Sequence, residues 1–233
     1  MNIAVILAGG MGARMGQDIP KQFIHVNNIP IIVYTLLAFE KHPQVDRIHV
    51  ACVDGWEKVL EGYVQQFNIK KYSGMTAGGA TRYLSTRQAM EALGADDDDV
   101  IIVHDSVRPL VTNDSITSTI EVCRKNGNSM SIIPCADTMY EKTTAEKTSL
   151  EVNRDKLVRG QTPEAVNGAR MREMYQLGDE KNIHLDSISA LQIALGFEIN
   201  FAKGSPRNIK LTTTEDIELF KALLSTTKDE WLK

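Results

Sequence analysis

The chain alternates short, nearly continuous apolar runs with longer segments whose apolar positions recur every three or four residues. Ile3-Ala4-Val5-Ile6-Leu7, Arg47 to Val53 and Val100-Ile101-Ile102-Val103 have the length and composition of parallel strands covered on both faces. Shorter strands are expected at Lys70 to Thr76, Ser129 to Pro134, Phe197 to Ala202 and Asn208 to Thr212. Helices fall between them. Ile31 to Glu40 predicts a buried helix stopped before Pro43, and Trp56 to Phe67 an amphipathic one. Further helices are expected from about Thr81 to Leu93, from a cap at Asn113 or Asp114 to about Lys125, at Ala169 to Leu177 and at Ser187 to Leu195. A last helix opens at Thr213 or Thr214, with Glu215 and Asp216 in its first turn. This βαβ rhythm predicts an α/β fold, with a mostly parallel twisted sheet and helices on both faces.

From Cys135 to Gln161 the composition turns polar. Asp137 to Thr144 and Thr148 to Arg154 read as two strands of a hairpin with no core of its own, which must lie against something else. The four acids Asp96 to Asp99 read as a solvated turn rather than a metal cluster.

The stretch Ala8-Gly9-Gly10-Met11-Gly12-Ala13-Arg14-Met15-Gly16, followed by Pro20-Lys21-Gln22-Phe23, comes straight after the first strand. Glycines let backbone approach a phosphate and take positive φ, so N–H groups can converge on oxygens. Arg14 and Lys21, one on each side of the turn, point to a nucleoside triphosphate. The spacing does not match the dinucleotide fingerprint G-x-G-x-x-G, nor the P-loop with its Lys-Ser or Lys-Thr pair.

Composition narrows the partners. A chain of 233 residues, 42% of them hydrophobic, can bury one substantial core, so residues 1–233 are read as a single domain with 136–160 as an inserted arm. A net charge of −4 argues against a nucleic-acid backbone as partner. Arg14, Lys21, Arg82, Arg108 and Lys210 would nevertheless make a cationic pocket if the fold gathered them. No secretory signal or membrane-length apolar run is evident, and the 3 cysteines suit buried thiols in a reducing cytoplasm. The 5 histidines lack zinc-site spacing.

A-G-G-x-G-x-R-M-G with P-K-Q-F resembles the signature of sugar- and polyol-phosphate nucleotidyltransferases. The likeness runs over nearly the whole chain and is greatest to the cytidylyltransferases acting on methylerythritol phosphate or ribitol 5-phosphate, enzymes of isoprenoid and teichoic acid biosynthesis. Gly78-Gly79-Ala80-Thr81-Arg82, His104 to Pro109, Gln161-Thr162-Pro163 and Asn208 to Thr212 carry it further. The resemblance implies a Rossmann-like nucleotidyltransferase fold with a protruding β-hairpin arm exchanged across a homodimer. It implies CTP held by Leu7, Ala8, Gly9, Gly10, Gly12, Gly78, Gly79, Arg82 and Ser85, with Arg14, Lys21 and Lys210 catalytic. It also implies Mg²⁺ on Asp105, and an acceptor phosphate met by Thr138, Arg154 and Thr162; Arg108 braces its loop or touches that phosphate. Ser106-Val107 tilts the acceptor toward ribitol 5-phosphate, with methylerythritol 4-phosphate as the alternative. A nucleotide-binding regulatory subunit without turnover is the non-enzyme alternative.

Overall fold

The computed structural model describes residues 1–10 and 19–226. Arg14 and Gly12, expected in the phosphate loop, lie outside the described residues, as does the charged carboxyl-terminal end.

The apolar runs form the centre of the sheet. β1 (Asn2–Ala8) is flanked by β4 (Arg47–Cys52) and β6 (Val100–Asp105), both parallel to it, and β5 (Tyr72–Ala77) extends the sheet beyond β4. On the other side β10 (Val158–Asn167) lies antiparallel between β6 and β7 (Asn128–Pro134), and β11 (Phe201–Lys203) closes that edge parallel to β7. The order β11-β7-β10-β6-β1-β4-β5 makes a seven-stranded sheet with only β10 reversed, and a separate short hairpin pairs β2 (His25–Val26) with β3 (Ile29–Pro30).

Strand alternation sorts the helices. Ala4, Ile6 and Ala8 face α1 (Ile31–Lys41), α2 (Glu57–Gln66) and α4 (Asn113–Asn126), while Ile3 and Val5 face α3 (Arg82–Glu91), α5 (Gly168–Lys181) and α6 (Ile188–Ala194). A smaller cluster, including Val107, Leu211 and Phe220, seats α7 (Thr214–Thr226) beside α1, where Phe220 meets Tyr34 edge-on at 5.1 Å. Local chemistry sets the helix starts. Asn167 caps α5 and Ser187 caps α6. Thr213 and Asp216 form a reciprocal box at the start of α7.

Five expectations need correction. The strand expected at Phe197 to Ala202 forms only at Phe201–Lys203. The long strand β10 was not anticipated. Residues 208–212 are not a strand: the segment leaves the sheet and hydrogen-bonds the loop after β6, through Leu211 N–H to the Val107 carbonyl at 2.9 Å. Thr112, rather than Asn113 or Asp114, caps α4 by accepting from Ser115 N–H at 3.2 Å. Asp99 is buried rather than solvated; it accepts from Asp96 N–H and from the amino-terminal nitrogen of Met1, while Asp96 to Asp98 remain exposed.

The arm consists of β8 (Met139–Glu141) and β9 (Leu150–Val152), paired antiparallel with each other and exposed along their length, apart from the half-buried Val152. It grows from the hairpin between β7 and β10, whose last register pair is Pro134 with Val158.

Burial also leaves a pH signature. His104 is fully buried and donates Nε2–H to the Arg108 carbonyl at 3.1 Å, and burial pushes its imidazole from 6.5 down to about 4. Burial lowers His42 and His49 as well. A histidine held neutral in the folded state contributes stability that is complete above the unfolded value near 6.5 and is lost as pH falls toward the folded one. Denaturant midpoints are therefore expected to decline between about pH 6.5 and pH 4, with His104 contributing on the order of 3 kcal/mol. His104→Gln should flatten that decline, and an equally steep decline in the variant would remove His104 as a source.

Candidate active site

The chain runs outward from β1 to β4 and β5, then returns to the opposite side of β1 as β6. Such a reversal opens a crevice at the carboxyl ends of the two strands where the order switches. Leu7 and Asp105 are register partners at that point. A cavity of about 440 Å³ lies there, lined by the ends of β1 and β6, by Lys21 and Gln22, by Gly79 to Arg82 and by Lys210.

Each wall is held by a different device. Pro20 precedes a 3₁₀ turn, Lys21–Phe23, whose middle residue folds inward. Gln22, 1% exposed, donates its amide to the carbonyls of Ala8 at 2.7 Å and Gly10 at 3.0 Å, fixing the loop after β1. Phe23 is equally buried and stacks on Trp56 with ring centroids 4.6 Å apart. Burying that ring is worth about 2–3 kcal/mol, enough to fix the turn. Lys21 is left at the cavity wall.

The opposite wall uses close backbone approach. A Cβ on Gly78 would lie 2.9 Å from Gly9 Cα and 3.1 Å from the Cys52 carbonyl oxygen, and one on Gly79 would lie 2.5 Å from Leu84 Cβ. None of Gly9, Gly10, Gly78 and Gly79 has positive φ; Gly9, Gly78 and Gly79 serve close approach, while a Cβ on Gly10 would meet nothing within 4 Å. Ser85, 5% exposed, accepts from Gly79 N–H at 2.9 Å and donates to the Thr81 carbonyl at 2.9 Å, clamping Gly79 to the start of α3. Thr81 caps α3, whose amino terminus adds positive potential at the cavity.

Lys210 comes from the segment ahead of α7. Asn208, fully buried, donates to the Thr162 carbonyl at 2.7 Å, and its own carbonyl accepts from Arg108 Nη1 at 2.8 Å. Ile209 and Leu211 pack in the cluster under α7. With its neighbours pinned on both sides, Lys210 extends Nζ to Asp105 Oδ2 at 3.0 Å.

Asp105 stands at the centre, 6% exposed. Arg108 Nε meets Oδ2 at 3.3 Å and Arg82 Nη2 meets Oδ1 at 3.3 Å, while the backbone N–H donates to Thr162 Oγ1 at 3.2 Å. Burial alone would raise this carboxyl, but Arg82, Lys210 and Arg108 together hold it far below the usual carboxylate range. It is therefore an anion at any working pH. Glu164, which the sequence did not signal, is 4% exposed; it accepts from Ser187 Oγ and Ser189 N–H and lies 3.7 Å from Arg82 Nη2, steadying that arginine from behind.

Leu7, Ala8, Gly9, Gly10, Lys21, Gly79, Arg82, Ser85, Asp105 and Lys210 thus line one cavity, with Gly78 packed on Gly9 behind them. Thr162 lies under Asp105 as a hydrogen-bond partner, 4% exposed. Arg108 braces its loop and faces a neighbouring cavity. Thr138 and Arg154 lie on the arm, outside the lining of the main cavity, where Arg154 Nη1 donates to the Ala136 carbonyl at 2.7 Å. The thiols of Cys52 and Cys123 are pushed up to about 12 by burial, which suits packing rather than nucleophilic roles.

A crevice of backbone and cations around one permanent carboxylate is built to gather phosphate oxygens, and on this sheet it defines a nucleotidyltransferase. The family described as IspD, 2-C-methyl-D-erythritol 4-phosphate cytidylyltransferase, matches residues 2–226, and the chain belongs to it. The chain is 38% identical over 229 residues to a ribitol-5-phosphate cytidylyltransferase of Lacticaseibacillus paracasei, covering 96% of this chain and 98% of that one. It is 34% identical over 217 residues to a 2-C-methyl-D-erythritol 4-phosphate cytidylyltransferase of Clostridium tetani, covering 93% and 87%. The crystal structure of 2-C-methyl-D-erythritol 4-phosphate cytidylyltransferase from Thermus thermophilus superposes with a TM-score of 0.78 at 25% identity, covering 97% of this chain and all of that one. The 4-diphosphocytidyl-2C-methyl-D-erythritol synthase of Anaerococcus prevotii superposes with a TM-score of 0.81 at 24% identity, covering 97% and 96%.

Proposed function

We propose that this enzyme transfers a cytidylyl group from CTP to ribitol 5-phosphate and releases pyrophosphate. The observation that carries the reading is the 38% identity, across both whole chains, with a ribitol-5-phosphate cytidylyltransferase. The cavity supplies the means, because it places Lys21, Arg82 and Lys210 around a space of about 440 Å³.

A phosphate oxygen of the acceptor attacks the α-phosphorus of CTP, and the bond from that phosphorus to the bridging oxygen breaks. Pyrophosphate leaves with the electron pair. Two anions must meet, so neutralisation and alignment are the protein's main tasks. Lys21 and Lys210 offset charge at the α-phosphate, and the loop after β1, with Arg14, receives the β- and γ-phosphates. The backbone of Gly78 and of Gly79, the latter clamped by Ser85, faces the cytosine and selects it by fit. A phosphomonoester, with a second pKa of about 6, is largely ionised near neutrality, so no strong general base is needed.

Asp105 is the single carboxylate lining the cavity among the described residues, and that donor set fits Mg²⁺, which takes one or two carboxylates and completes its shell with phosphate oxygens and water. When bound, the ion would draw charge from the triphosphate. EDTA should stop pyrophosphate release and added Mg²⁺ restore it; turnover that persists in EDTA would remove the metal from this reading.

Thr138 and Arg154 lie on an arm that presents Met139 and Tyr140, 38% and 59% exposed, and Leu150, 50% exposed. Exposed apolar side chains on a polar arm without its own core support exchange across a homodimer, in which these two residues and Thr162 meet the acceptor phosphate. No helix among the described residues is long and apolar enough to cross a membrane. On this reading the enzyme works in the cytoplasm. The deciding assay is pyrophosphate release with each NTP against ribitol 5-phosphate, methylerythritol 4-phosphate and sugar phosphates. Activity confined to CTP with ribitol 5-phosphate is expected. A preference for methylerythritol 4-phosphate would select the other acceptor, and nucleotide binding without turnover would indicate a regulatory subunit.

A further inference from the structure

A second cavity, of about 250 Å³, adjoins the first, and Lys210 lines both. At about 30 Å³ per water it has room for roughly eight waters, which suits a short chain of carbons and hydroxyls rather than a nucleotide. Most polar groups around it are already engaged. Asp216 Oδ2 accepts from Thr212 N–H and Oγ1 at 2.7 Å each and from Thr213 N–H at 2.9 Å. Gln161 donates to the Ser205 carbonyl at 3.0 Å and accepts from Ser205 N–H at 3.1 Å. Arg108 is held by Asp105 and the Asn208 carbonyl. Arg159 differs: it is exposed, lines the cavity, and its side chain makes no hydrogen bond or ion pair among the described residues. Its backbone is fixed nonetheless, paired with Ile133 of β7 just before the register shift at Gly160.

We propose that Arg159 is a specificity-determining residue that hydrogen-bonds the hydroxyls of the polyol chain of the acceptor as that chain lies in the second cavity. The inference rests on the functional reading above and deepens it. The acceptor phosphate must reach the α-phosphorus in the first cavity, so it sits at the shared wall, beside Lys210. The rest of the acceptor then runs into the second cavity toward Arg159. A guanidinium only donates, and polyol oxygens are acceptors that match its fork. No covalent step involves Arg159, so its contribution appears in acceptor binding.

The test is steady-state kinetics of Arg159→Gln and Arg159→Lys with ribitol 5-phosphate and with glycerol 3-phosphate, which lacks the distal hydroxyls. Losing a charged hydrogen bond to the chain should raise KM for ribitol 5-phosphate about tenfold to a hundredfold in the glutamine variant. KM for CTP and kcat at saturation should hold, and the preference over glycerol 3-phosphate should narrow. The lysine variant, which keeps the charge without the fork, should recover part of the loss. Because Arg159 is exposed, an unchanged melting temperature separates these effects from misfolding. An unchanged acceptor KM in the glutamine variant, or an effect on kcat alone, would overturn the assignment while leaving the reaction intact. Failure of the parent enzyme to use any polyol phosphate would overturn both.

Discussion

Replacing Lys21 or Lys210 by alanine is expected to lower kcat for pyrophosphate release by about 10²–10³-fold, the scale of losing one preorganised donor aimed at developing charge. Both ammonium groups belong to elements whose neighbours are anchored: Lys21 precedes the buried Gln22 and Phe23, and Lys210 lies between Ile209 and Leu211 two residues after the buried Asn208. Their positions are set before substrate arrives, and that is the condition for a large effect. The fold should survive either change, because Asp105 keeps Arg82 and Arg108 when Lys210 is lost. Single-turnover rates with CTP and ribitol 5-phosphate give the comparison most directly. A folded variant with parental kcat would take that lysine out of the mechanism.

The second large effect is expected from Gly78→Ala. A methyl there meets Gly9 Cα at 2.9 Å and the Cys52 carbonyl oxygen at 3.1 Å, both backbone atoms that no rotamer change can move. The two loops must part, and a displacement near 1 Å in a positioning element can cost about 10²-fold in rate. Overpacking should also remove about 1–3 kcal/mol of stability. Gly62→Ala is the control, since its methyl meets nothing within 4 Å and it lies inside α2, where alanine is favoured by up to about 1 kcal/mol. Melting temperatures of the pair should move in opposite directions, and the kinetics should change in Gly78→Ala alone. Parental CTP kinetics in Gly78→Ala would show that the close approach is not needed.

The centre of this fold was legible because its strands are covered on both faces, so Ile3 to Leu7 and Val100 to Val103 carry unbroken apolar runs. Lys21 was legible from the glycine loop that follows such a run, whereas Gly78, Gly79, Ser85, Asp105 and Lys210 were expected at the site through the family resemblance. β10 escaped because Gly160 and Pro163 interrupt it and Glu164 places a charge among its buried residues. That charge is tolerated through Ser187, Ser189 and Arg82, partners far away in sequence that no local pattern discloses. The segment 208–212 misled in the opposite sense. Its alternating Ile209 and Leu211 serve a side cluster under α7, and the alternation looks the same whether or not a sheet receives it.

The reversed strand has one more consequence. Because β7 and β10 are neighbours in an ordinary hairpin closed by Pro134 opposite Val158, the arm is an outgrowth of that hairpin's tip and not a member of the sheet. Its length and lettering can be rewritten, or a foreign hairpin grafted in its place, while the strands that carry Asp105 and Thr162 keep their alignment. The arm and the sheet are in that sense separately editable.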